Sequence, residues 1–219
     1  MKRMLLAMLL MFSLTDYAQT YTNDDKSLTG VFEVPSKTKA EIFSAINKWI
    51  SINYNSGKSV TQLLDAEAGN IVVKGINQIN YNNGAKILYP NMKSIPEINV
   101  MKFNHLIEIN VKENKYRVNY RILEIEYDQA VAVYMTPSLT KNGFDCINLN
   151  GTPVAVITSI NDSLETTLKM GFIGKEKRET YKANTKPMYD GINSTIVADM
   201  KATMLSIQSA VNSQTKDGW

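Results

Sequence analysis

At 219 residues and 44% hydrophobic content, the chain is long enough for one sizeable domain and too apolar to be disordered. A formal charge of +3 is too small to imply nucleic acid or an anionic membrane as a partner. One cysteine (Cys146) and one histidine (His105) exclude an intramolecular disulfide and any site needing two Cys or His ligands.

Met1-Lys2-Arg3, the apolar run Met4–Leu14 and the small residue Ala18 before Gln19 follow the order of a secretory signal peptide. The run is shorter than the roughly 18–20 residues that span a bilayer. No second long apolar run follows, so the expected mature chain has no transmembrane segment and is periplasmic or extracellular. Removing Lys2, Arg3 and Asp16 with the leader leaves a charge of +2. The expected plan is a signal peptide over 1–18, a flexible lead-in over 19–27, one domain over 28–212 and a frayed tail over 213–219.

Leu28–Val34 is rich in β-formers and is stopped by Pro35, which predicts a first strand. Thr38-Lys39-Ala40-Glu41 matches the capping box and opens a helix with Ile42, Phe43, Ile46, Trp49 and Ile50 on one face. Asn55-Ser56-Gly57 ends it. Two strands follow, Ser59–Leu64 and Ile71–Tyr81, joined by a loop with Gly69 near its end. Asp65-x-Glu67 in that loop is faintly like a calcium loop, without the spacing or the closing Glu of one, and no metal is assigned to it.

The clearest β signal is the alternation of Phe103, His105, Ile107, Ile109 and Val111 with polar neighbours. A turn at Glu113-Asn114 returns the chain through Tyr116, Val118, Tyr120 and Ile122. The predicted register sets Val111 opposite Tyr116, Ile109 opposite Val118, Ile107 opposite Tyr120 and His105 opposite Ile122. His105 thus falls on the apolar side, where a neutral core histidine with one or two hydrogen bonds is expected. The other side carries Asn104, Leu106, Glu108, Asn110, Arg117, Asn119, Arg121 and Leu123, extended by Lys74 and Gln78. Arg117 and Arg121 are suited to bidentate contact with carboxylate or phosphate.

Between 128 and 186 the pattern predicts an insertion, with strands at Ala130–Met135 and Pro153–Ile160 and a short helix at Ser163–Lys169. Cys146 reads as a small buried residue. The opposite charges of Lys175-Glu176-Lys177-Arg178-Glu179 interleave as on a solvated helical surface. A last helix is expected after Thr185-Lys186-Pro187, with Tyr189, Ile192, Ile196, Met200, Met204, Ile207 and Val211 on one stripe.

Five strings stand out together: Val31-Phe32-Glu33-Val34-Pro35, Ile46-x-x-Trp49-Ile50, Asp65-x-Glu67-x-Gly69-Asn70-Ile71, Glu108–Lys112 and Lys115-Tyr116-Arg117. With them the chain resembles a domain of unknown function with a TBP-like fold found in secreted Bacteroidetes proteins. The resemblance covers about residues 28–127. It implies an α+β fold: a curved antiparallel sheet in the order β-α-β-β-β-β-insertion-α, with helices on one face and the other face free. It supplies no catalytic residues to carry over, no cofactor is expected, and a fold name does not bring DNA binding with it. The expected function is a non-catalytic binding or accessory module of the cell envelope. Arg117, Arg121, Glu108 and Lys74 on the open face would meet a protein or an anionic glycan. The competing expectation is an envelope hydrolase drawing on Asp65, Glu67, Glu108 and Glu124.

Overall fold

A computed structural model describes residues 19–54, 57–127 and 144–213. Six strands make one antiparallel sheet: β1 (Gln19–Asn23), β2 (Ser27–Glu33), β3 (Thr61–Asp65), β4 (Asn70–Asn82), β5 (Ile98–Lys112) and β6 (Lys115–Tyr127). Their spatial order is β1-β2-β6-β5-β4-β3. Helix α1 (Lys39–Asn53), the single turns α2 (Gly57–Val60) and α3 (Ala85–Leu88), then α4 (Val154–Met170) and α5 (Lys175–Ser213) complete the chain. The helices pack on one face, and the strands alternate accordingly, with Phe103, His105, Ile107, Ile109 and Val111 buried and their neighbours facing out.

The capping box at Thr38 forms as the sequence predicts. The Thr38 hydroxyl accepts from Glu41 N–H (3.3 Å), and the Glu41 carboxylate accepts from Thr38 N–H (2.8 Å). Ile42, Phe43, Ile46, Trp49 and Ile50 are buried, and the Trp49 indole donates to the Ser206 hydroxyl of α5 (2.9 Å). The β5–β6 register is the predicted one from Val111↔Tyr116 to His105↔Ile122. Asn114 takes φ 61 at the turn, a conformation its short polar side chain tolerates. Between β3 and β4, Gly69 has φ +75, and a Cβ there would lie 2.5 Å from the Val111 carbonyl. Only glycine fits both demands.

Beyond the paired stretch Asn70–Val73, β4 has β5 on one side and, among the described residues, no strand on the other as far as Asn82. All seven predicted stripe residues of α5 are buried.

Three expectations need correction. Residues 19–23 form β1, an edge strand on β2 whose Tyr21 meets Phe32 edge-on at 6.2 Å. The predicted strand Pro153–Ile160 is the start of α4, because Ile157, Ile160, Leu164 and Leu168 recur at helical spacing and are the buried ones. The last helix begins at Lys175, not after Pro187, which lies inside it. The leader, the expected helix end at Asn55-Ser56, the expected strand Ala130–Met135 and the tail beyond Ser213 lie outside the described residues.

Candidate functional site

The sheet face away from the helices holds all four predicted residues in adjoining rows. Ser27, Arg121, Leu106 and Lys74 lie side by side across β2, β6, β5 and β4. The next row runs Thr29, Asn119, Glu108, Val72, and the next Val31, Arg117, Asn110, Asn70. With strands about 4.8 Å apart, Lys74 and Arg121 stand roughly 10 Å from each other across Leu106.

Two of the four are already engaged. Arg117 donates to the Asn110 side-chain oxygen through Nε (3.2 Å) and Nη2 (2.7 Å), and Glu108 accepts from Asn119 (3.2 Å). Among the described residues Lys74 and Arg121 have no hydrogen-bonded or ion-paired partner. A β-bulge between Asn104 and His105 leaves Leu123 as the extra residue of β6. Leu123, Leu63, Ile76 and Ile98 are exposed large apolar side chains. Ile76 shares the outward parity of Lys74, so its place on this face was readable from the alternation of β4 and had been passed over.

The four candidate carboxylates are spread over the sheet, and Glu124 approaches a fifth, Glu126: both accept from the Asn104 side-chain amide (3.4 and 2.9 Å). On strand geometry the backbone positions of Glu108 and Glu124 are separated by about 15 Å, and those of Asp65 and Glu108 by about 12 Å. Asp65 Oδ1 accepts from Ala68 N–H (2.8 Å), and the Glu67 carbonyl accepts from Lys39 (2.5 Å). Among the described residues no group of three or more His, Cys, Asp or Glu side chains is placed to hold a metal ion.

On the helix side, His105 is fully buried, as expected of a core histidine. Its Nε2 lies 3.3 Å from the Tyr54 hydroxyl, its ring packs 4.7 Å from Tyr120, and its Nδ1 has no hydrogen-bond partner. Burial pushes its pKa down to about 4. Gly75 of β4 makes room: a Cβ there would meet His105 Nε2 at 2.8 Å and Tyr54 Cε1 at 2.9 Å. Asn77 donates to Asp199 of α5 (2.7 Å), and burial raises the Asp199 pKa. Burial also lifts Tyr54 to about 12. Tyr54 carries no sequence motif that would have announced it as a neighbour of His105, nor does Asp199 as a neighbour of Asn77. Cys146 is buried too, and burial moves its thiol up to about 11.

The clefts are lined mainly by amides and apolar groups. One of about 520 Å³ opens between the end of β4, α3 and α5, beside Asn80, Asn82, Ile87, Pro187, Met188 and Thr195. Two smaller ones lie along α5, and among the three the only carboxylate is Asp190.

Residues 29–127 match the model of a family described as a domain of unknown function (DUF4468) with TBP-like fold. The chain is similar in structure to a DUF4468 family protein from Bacteroides ovatus, with a TM-score of 0.50 and 12% identity over 91% of this chain and 94% of that one. It is also similar to a TBP-like protein from Parabacteroides distasonis, with a TM-score of 0.48 and 14% identity over 86% and 94% of the two chains. No curated protein matches it.

Proposed function

We propose that this chain, which belongs through residues 29–127 to the DUF4468 family with TBP-like fold, is a non-catalytic binding or accessory module of the cell envelope. The observation that carries the reading is the sheet face that no described element covers, where Lys74 and Arg121, unengaged among the described residues, flank Leu106 in a single row. A sheet face mixing cations, amides and exposed aliphatic side chains suits an extended partner, an envelope protein or an anionic glycan. Arg117 and Glu108, tied to Asn110 and Asn119, would shape the site's border. Export rests on the leader-like order of residues 1–18. The competing hydrolase reading would draw on Glu124, whose neighbour Glu126 shares Asn104 with it, but neither lines one of the three clefts.

Crosslinking capture in intact cells tests the reading. The wild type is compared with Arg117→Glu/Arg121→Glu and Lys74→Glu/Arg121→Glu, each with its circular dichroism spectrum checked. A discrete envelope partner lost in both variants is the expected result. Equal capture by wild type and variants would remove this face from consideration.

A further inference from the structure

Helix α4 ends in a Schellman turn. The Ile173 N–H donates to the Leu168 carbonyl, and the Phe172 N–H to the Lys169 carbonyl, both at 3.0 Å. The turn puts Phe172 at φ 57, the position where glycine is the usual residue and a bulky side chain is strained. Glycines stand close by at 171 and 174. Ile173 packs against the core, as the apolar residue after such a turn commonly does. Phe172 gets no such return: it is 96% exposed, and Met170 beside it is 76% exposed. Folding therefore gains nothing from this aromatic ring and bears its backbone strain, the pattern of a residue kept for contact with something else.

The charges around the turn favour one partner. Lys169 and Lys175 bracket it; Lys169 pairs with Glu165 at 3.1 Å, and Lys175 has no ion pair among the described residues. Lys177 lies 5.8 Å over the Tyr89 ring, which brings the loop carrying the exposed Met92 and Lys93 to the same end of the molecule. The near-neutral overall charge conceals this local arrangement.

We propose that the Met170–Phe172 turn is an interfacial anchor that inserts into an anionic lipid surface, with Lys169, Lys175 and Lys177 at headgroup level. Two apolar side chains on a convex turn are far short of the roughly 800 Å² per partner that a stable protein interface buries. A few apolar groups beside Lys169, Lys175 and Lys177, which outnumber the adjoining Glu165 and Glu176, meet the requirements of peripheral bilayer contact. No helix among the described residues is long and apolar enough to cross a membrane.

The test places tryptophan at the tip of the full-length chain, as Phe172→Trp, and reads its emission against the wild type. The vesicles are brominated phosphatidylcholine with or without phosphatidylglycerol. Quenching by the brominated chains reports depth at position 172 itself, so attachment through residues 1–18 cannot mimic it. A blue shift with quenching on phosphatidylglycerol vesicles, lost in Lys169→Glu/Lys175→Glu, is the expected result. Phe172→Gly should weaken vesicle partitioning about tenfold while raising the melting temperature, because it relieves the strained backbone. Absence of quenching on anionic vesicles would overturn the proposal, and so would a crosslinked protein partner at Phe172 without any lipid response. Equal insertion into phosphatidylcholine alone would overturn the role of the lysines and with it the commitment to an anionic surface.

Discussion

His105 has no exposure to water and one ring nitrogen without a hydrogen-bond partner, so a proton placed on it in the folded state is poorly accommodated. Its pKa falls from an ordinary 6.5 to about 4 on folding. Between those values the unfolded chain binds a proton that the folded chain refuses, so stability falls as the pH drops. The linkage relation gives a loss of about 2 kcal/mol by pH 5 and about 3 kcal/mol by pH 4, measured from neutral pH. Asp199 works the other way: its raised pKa lets the folded state take up a proton first, which favours folding in acid. Tyr54, against the His105 ring, stays neutral throughout this range, as does Tyr120, whose pKa burial also raises. The measurement is therefore a difference, made by urea denaturation of the wild type and His105→Gln at pH 7 and pH 5. Glutamine keeps hydrogen-bonding capacity near Tyr54 and does not titrate. The gap in stability between the two proteins should shift by about 2 kcal/mol in favour of the variant at the lower pH. Asp199→Asn should steepen the acid loss. Parallel pH profiles for wild type and His105→Gln would refute the reasoning.

Thr38→Ala removes the hydroxyl half of the capping box and should cost about 1 kcal/mol, read as a shift in urea midpoint at unchanged slope. Gly69→Ala sets a Cβ against the Val111 carbonyl at positive φ and should cost about 2 kcal/mol or more in the same assay. Cys146, buried and with its thiol pKa raised to about 11, should resist a maleimide in the native protein and react fully once the chain is unfolded. Ready labelling of the native protein would show that the segment around Cys146 opens.

The strands and α1 were legible because their signals are local and agree with one another. Period-two alternation from Phe103 to Val111, a turn asparagine and a capping box each name the structure that forms. Where signals conflicted, the reading failed. Pro153-Val-Ala-Val-Ile has the β-branched content of a strand, yet the buried set Ile157, Ile160, Leu164 and Leu168 has a helix's period, and packing against α5 decided the outcome. Pro187 was read as a boundary although Tyr181 and Thr185 already continue the buried stripe before it. Gln19–Asn23 is polar enough for a tail and becomes a strand because β2 offers it an edge. The four residues of the open face were placed correctly by alternation alone. Which of them are free was not, since the Arg117–Asn110 and Glu108–Asn119 contacts depend on cross-strand neighbours that only the finished sheet defines. Phe172 was invisible for another reason: a left-handed backbone angle is set by the turn around it, and no residue type at that position declares it.

Strand β4 changes character along its length, because β3 accompanies it only from Asn70 to Val73. Past that point successive amides point alternately toward β5 and toward an edge that no described strand occupies. Hydrogen exchange along the strand should therefore fall into two regimes. The amides that face β5 share the slow exchange of the central hairpin. Those that face outward, every second one from Lys74 to Asn82, should exchange on the timescale of a loop, although they belong to the same continuous ladder. One strand thus holds some of the most and some of the least protected amides of the fold, a residue apart.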